Sequence, residues 1–480
     1  MNNSLLKVVC LIGCLLAGLN SCKKDDSKSG WKPDNLGQDK IEVDVDGKIH
    51  TYKAPMYWSV YEYCREAEQN TNSKIDMTES EWKRMISWVS ENLLPYGYDM
   101  IVTDGFMAMW SDNSEASKGY MTHYGDTKLT DLVQWCKEKG LKLGIYDNPL
   151  WIHGDDSKFI EGTGKTFGSL RYNSSDKVLK PESADSFPWA VPSHSGCKEF
   201  IDGFFKYYKN LGVEYIRMDF MCLFETGDGA GDMPGKGYGR EEYELALNYI
   251  CESAQRYGVF TSIVMPNLKE NGRLELSKCN EFRFSADTFD GGWGHVSDWC
   301  RGEFRDGTWP TTHNIFDGYI AWSQYTGKDT AIPDGDFIRL NVMESEYEAM
   351  SEISLHLMAG GPLQASDRPE MIEAKGWTWI YQNEEMLALN KEHFIGKPLS
   401  SNFSDSRSCI WYGKRKDGSY VVALFNRDDE KEMYVNFADL GIYEEMKIRD
   451  LWSHQDEGSG KEIKAIIPRH GVKVVQLTSM

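Results

Sequence analysis

Tyr215-Ile216-Arg217-Met218-Asp219-Phe220 is an apolar run that ends in a lone carboxylate. In a parallel barrel, the carboxyl end of an inner strand is where a catalytic acid reaches the mouth of the fold. A second run, Glu281-Phe282-Arg283-Phe284-Ser285-Ala286-Asp287, closes in the same way. Aromatic residues and a positive charge flank both Asp residues. One such Asp could simply cap the helix that follows its strand. Two of them at two strand tips suggest the paired carboxyl groups of glycosidic-bond chemistry.

Outward from these runs, short apolar stretches alternate with amphipathic ones. Asp99 to Asp104, Leu141 to Tyr146 and Gly258 to Val264 read as further strands. Leu129 to Cys136 and Glu241 to Tyr257 carry apolar residues at helical spacing. That alternation predicts parallel βα units. An open doubly wound sheet would show it too, but no Gly-rich phosphate loop follows the first strand. The expected fold class is α/β, a (β/α)8 TIM barrel over 41–392. After Glu392 the texture changes. Ser408 to Tyr412, Ser419 to Phe425, Met433 to Phe437 and Val472 to Leu477 read as strands separated by Asp, Gly and Asn turns. These predict a C-terminal antiparallel β-sandwich over 393–480.

The 480 residues suit one large domain and an accessory one. Aromatic residues make up 13%, with 16 Trp and 25 Tyr, which suits a surface that stacks on the C–H faces of sugars as well as a large core. The formal charge of −21 argues against a nucleic-acid partner, because phosphate contacts need clustered Lys and Arg. A neutral oligosaccharide or polysaccharide would not be repelled.

Residues 1–21 read as a targeting segment: Lys7 precedes an apolar run, Val8 to Leu19, too short to span a bilayer. It ends in Leu19-Asn20-Ser21-Cys22, which resembles a bacterial lipobox, with Cys22 as the lipidated residue. Residues 22–40 are then expected to form a flexible tether, and Lys24-Asp25-Asp26 resembles an export signal for surface-exposed outer-membrane lipoproteins. Of the 11 Cys, eight lie beyond Cys22, without paired spacing, Cys-x-x-Cys motif or Cys/His cluster. Neither a metal nor a cofactor is expected, and most of these thiols should be buried apolar groups.

Seven motifs in order resemble glycoside hydrolase family 27, the α-galactosidase type. Pro55-Met56-Tyr57-Trp58-Ser59 resembles the opening strand. Tyr98 to Phe106, through Thr103 and Asp104, resembles the second, and Gly140 to Tyr146 the third. Tyr215 to Asp219 resembles the nucleophile strand, and Arg283 to Asp287 the acid/base strand. Asp334-Gly335-Asp336-Phe337-Ile338 and Gly361 to Arg368 resemble two later segments.

The resemblance implies a retaining exo-hydrolase of α-galactoside-type bonds, with Asp219 as nucleophile and Asp287 as acid/base. Arg217 should hold Asp219 ionised, while the charge of Asp219 should favour a protonated Asp287. The carboxyl groups should stand about 5–5.5 Å apart. Trp58, Asp104, Tyr146, Arg217, Arg283 and Asp336 are the expected substrate contacts; Trp151 and Trp293 are further ring candidates. Trp58 is the favoured platform, and Asp336 would touch the sugar near C2 or cap a helix.

The chain departs from the family at three sugar contacts. Thr103 replaces the first of two paired Asp residues that touch O4 and O6. Arg217 replaces a Lys, and Val264 replaces a residue that reads the C2 substituent. Cys222 stands one place beyond the usual Cys, which puts the usual disulfide in doubt. An α-galactoside, a β-L-arabinopyranoside and an N-acetylgalactosaminide are the candidate substrates. The alternative of another class is a non-catalytic surface lipoprotein that binds glycans.

Overall fold

The structure, a computed structural model, describes residues 53–71, 77–111, 119–171, 189–221, 239–305, 309–327 and 330–480. The targeting segment, the tether, Cys22 and Cys222 lie outside the described residues. Eight parallel strands form one curled sheet: β1 (Met56–Ser59), β2 (Met100–Val102), β3 (Lys142–Tyr146), β4 (Val213–Met218), β5 (Phe260–Ile263), β6 (Glu281–Arg283), β7 (Ile332–Asp334) and β8 (Leu363–Ala365). The sheet runs in chain order from β1 to β7, and β8 lies beside β1. Closure comes just past β7. Ile338 donates to the Gln364 carbonyl at 3.0 Å and accepts from the Ser366 N–H at 3.0 Å, a parallel bridge to β8.

β4 is β-branched and aromatic, and all of it except Glu214 is buried, as expected of a strand covered on both faces. Inside the barrel, Tyr57, Met100, Val102, Tyr215 and Phe337 pack together. Gly144 on β3 makes room for them: a Cβ there would lie 2.9 Å from both the Tyr215 ring and Val102. The outer layer is helical. In the helix Cys197–Leu211 the buried residues Cys197, Phe200, Ile201, Phe204, Phe205 and Tyr208 recur at helical spacing, and Gly212 ends the helix at φ 102°. Each fully buried Phe in such a stripe contributes about 1.5–3 kcal/mol.

A small three-stranded antiparallel sheet, Met109–Trp110, His123–Tyr124 and Thr127–Lys128, is inserted after β2. Nothing in the apolar pattern announced it. From Lys397 the chain turns antiparallel: a six-stranded sheet faces the pair Lys431–Asn436 and Glu462–Ile467. Val422, Leu424, Val435, Ile448, Ile463 and Leu477 form a second core between them. This sandwich is fastened to the barrel by Arg427, which donates to Asp317 at 2.7 Å and to Ser297 Oγ at 2.9 Å. Trp452 adds a bond from its indole N–H to Ser354 Oγ at 2.9 Å.

Cys64, Cys136, Cys197 and Cys279 are buried free thiols, while Cys251 and Cys409 are free and half-buried. Cys300 is disulfide-bonded, which the spacing of the cysteines did not reveal. Among the described residues no helix is long and apolar enough to cross a membrane.

Candidate active site

Asp219 follows β4 directly and is half-buried. Its Oδ2 accepts the Tyr146 hydroxyl at 2.8 Å, and its Oδ1 accepts the Phe220 N–H at 2.7 Å. Asn148 Nδ2 donates to the Asp219 carbonyl at 2.7 Å, which fixes the backbone beneath the carboxyl group. Phe220 sits at φ 63°, unusual for a bulky residue, and marks the sharp exit from the strand. Burial raises the pKa of Asp219. Arg283 and the two hydrogen bonds oppose burial, while Asp287 adds to it. The two acids therefore share one electrostatic field.

Asp287 lies past β6, its side chain 35% exposed, and Arg283 Nη2 donates to its Oδ1. The same guanidinium reaches Asp336 through Nη1 at 3.1 Å and lies over the Trp309 ring at 5.0 Å. Arg283 thus joins the acid at the mouth to the polar layer below it.

Arg217 was expected to hold down Asp219; the structure corrects this. Its guanidinium points into the barrel and donates to Asp334 at 3.0 Å, Gln364 at 3.1 Å and Asp336 at 2.5 Å. Residues 215, 217 and 219 share one face of the strand, so Arg217 lies one layer below Asp219. Arg283 is the cation that offsets burial at Asp219. Asp336, fully buried, accepts from both arginines and from the Thr288 N–H at 2.8 Å. It is an anionic hub inside the barrel and not a helix cap.

Asp104 is buried, and its Oδ1 accepts the Phe106 N–H at 3.1 Å. Burial pushes its pKa up to about 7, with Asp219 and Asp336 adding to the rise. Thr103 is committed to structure, its Oγ1 accepting the Tyr146 N–H at 3.0 Å. The Tyr146 ring lies against Gly105, where a Cβ would meet it at 2.6 Å. Trp58, expected as an open sugar platform, is instead 1% exposed, with its indole N–H bonded to the Asp367 carbonyl at 2.9 Å. A ring held on all sides by core atoms presents no free face in this conformation. Trp151, Trp293 and Val264 are buried as well, and Trp293 stacks on His470.

The comparisons with known proteins bear on this arrangement. Residues 405–477 match the model of the alpha galactosidase C-terminal beta sandwich domain. The chain is 34% identical over 444 residues to an isomalto-dextranase of Arthrobacter globiformis, covering 88% of this chain and 67% of the relative. The solved isomalto-dextranase of Arthrobacter globiformis T6, complexed with panose, superposes at a TM-score of 0.81 and 31% identity, over 92% of this chain and 76% of that one. The chain belongs to glycoside hydrolase family 27. A family 27 β-L-arabinopyranosidase of Geobacillus stearothermophilus shares the fold, at a TM-score of 0.66 and 18% identity over 89% of this chain and 97% of that one. This family 27 chain is a glycoside hydrolase.

Several residues around the site escaped the sequence reading. Asn148, Gln364, Trp309 and Thr288 each fix a strand-end group through a contact far along the chain. Asp147 accepts from the Tyr208 hydroxyl at 2.5 Å and pairs with His153 Nε2 at 2.8 Å, bracing the exit of β3. The position of Asp147 and Asn148 after an apolar run was the one signal present. Cys300, Glu303 and His313 bring ligand atoms within 4.8 Å of one another. The disulfide at Cys300 removes its thiolate, so the trio does not fit a metal.

Proposed function

We propose that this family 27 member is a retaining, exo-acting glycosidase whose reactive subsite takes an α-glucan of the isomalto-dextran type. One observation carries the choice of sugar. The family resemblance assigns contact with O4 and O6 to two paired Asp residues, of which Asp104 is kept. Here the first position is Thr103, whose hydroxyl is engaged by the Tyr146 N–H. Galactose differs from glucose in its axial O4, so a site with one of the two carboxylates replaced has a weaker hold on the galactose configuration. The likeness to isomalto-dextranase supports the same conclusion.

In this account Asp219 attacks the anomeric carbon as the bond to the leaving oxygen breaks. Asp287 supplies the proton to that oxygen. The Arg283 bond occupies Asp287 Oδ1, so the transferred proton is assigned to Oδ2. In the second half Asp287 takes a proton from water, which attacks the anomeric carbon and releases Asp219. Tyr146 and the Phe220 N–H hold the nucleophile in place. Asp104 and Arg283 are assigned to the polar wall of the subsite, and Arg217 supports them from the layer below.

Reducing-end release from dextran, set beside turnover of nitrophenyl α-galactoside, β-L-arabinopyranoside and α-N-acetylgalactosaminide, tests the assignment. Dextran should be the better substrate. Turnover of the galactoside alone would return the chain to the α-galactosidase reading, and no turnover on any of the four would favour a glycan-binding lipoprotein. We further propose, from Leu19-Asn20-Ser21-Cys22, that the protein is held at the outer membrane by a lipid on Cys22 and faces outward. Replacing Cys22 with Ala should move it from the membrane fraction to the soluble one.

A further inference from the structure

A pocket of about 470 Å³ opens far from Asp219, lined by Tyr96, Trp379, Gln382, Glu384, Glu385 and His454 among others. Tyr96 precedes β2, at the amino ends of the strands, whereas both catalytic candidates follow carboxyl ends. In a parallel barrel these are opposite faces.

The wall of this open pocket is held by specific contacts. Trp379 is 39% exposed, yet its ring is set edge-on, at 88°, against Trp452, itself only 7% exposed. Asn383 donates to the Leu451 and Trp452 carbonyls, each at 3.2 Å. Gln382 Nε2 donates to the Asn92 carbonyl at 2.9 Å. Glu385 is clamped by Arg449, at 2.6 and 2.9 Å, and by His454 Nδ1 at 2.7 Å. The wall therefore joins the barrel to the sandwich, and the Trp379 ring needs little ordering on binding.

We infer that this pocket is a second carbohydrate site, which holds a neutral α-glucan chain on the non-catalytic face. The inference rests on the glucan reading of the active site for its choice of sugar. Two partly exposed rings offer flat faces for pyranose C–H groups, beside planar polar groups for hydroxyls. Glu384 at the rim, on a chain of formal charge −21, disfavours phosphorylated or sulphated ligands, Glu385 being already paired with Arg449. A polymer held here stays with the enzyme between catalytic events, so the effective concentration of chain ends rises.

The test uses full-length Asp219→Asn protein labelled with 5-fluorotryptophan, in which W379F identifies the Trp379 fluorine signal. Titration with isomaltohexaose should shift that signal saturably, and W379A in the active protein, with Asp219 intact, should lower kcat/KM several-fold on dextran but leave an aryl glycoside unaffected. A stationary Trp379 signal at saturating sugar would overturn the inference. Dextran hydrolysis by wild type, measured in parallel, separates the two readings. Hydrolysis with a silent Trp379 sinks only the second site. A shifted signal without dextran hydrolysis sinks only the active-site assignment, and failure of both removes both.

Discussion

Tyr146 donates its phenolic hydrogen to Oδ2 of Asp219 across 2.8 Å, from the end of the adjacent strand β3. A hydrogen bond to a charged group contributes about 1.5–3 kcal/mol, more than most neutral bonds. It also favours the ionised form of a carboxyl group whose pKa burial raises. Tyr146→Phe should therefore lower kcat by about 10- to 100-fold. The acid limb of the pH–rate profile should move to higher pH, with little change in thermal stability. A profile that keeps its acid limb would remove Tyr146 from the role of positioning the nucleophile.

Arg283 opposes the rise in the Asp219 pKa and binds Asp287. Arg283→Lys keeps one charge but loses the fork that reaches Asp287 and Asp336 together. Both kcat and the acid limb should respond, the limb moving upward as the remaining charge is no longer fixed in place near Asp219. Measuring kcat/KM against pH in both proteins decides the matter; superimposable profiles would show that Arg283 only braces the fold.

Asp287→Asn should cost about 10²- to 10⁴-fold on dextran, whose leaving group needs a proton. The loss should be much smaller with an aryl glycoside, whose phenolate departs unaided, and the glycosyl-enzyme should then accumulate. Equal losses on both substrates would contradict the acid/base assignment.

Burial raises the pKa of Asp104 and Asp367 to about 7 each, and of Glu281 to about 8. The folded chain thus holds protons that the unfolded chain releases near pH 4. Stability from these groups is full in acid and declines as pH rises from about 4 to about 8. Melting temperatures should fall across that window, less steeply in Asp104→Asn. A stability that rises from pH 5 to pH 8 would contradict these buried neutral acids.

Trp58 is a core ring here, so Trp58→Ala should destabilise by about 3–5 kcal/mol. Denaturant midpoints measure this directly. A large KM effect at unchanged stability would restore the platform role.

The barrel was legible because apolar runs that end in Asp repeat along the chain, and the sandwich because the period changes after Glu392. The wiring of the site was not. Arg217 finds Asp334 and Asp336 across the barrel, partners 117 and 119 residues away, and nothing local distinguishes that choice from Asp219. Trp58 illustrates the same limit: a motif fixes its strand, but the facing Asp367 carbonyl fixes its burial. The small sheet after β2 has strands of only two residues, too short for alternation to register.

The central claim is double displacement at Asp219 on an α-linked glucan. Proton NMR of the first product released from dextran reads its anomeric configuration before mutarotation. The account predicts that the α-anomer appears first and the β-anomer grows in only later. An initial β-anomer would mean inversion, and would contradict Asp219 as a nucleophile.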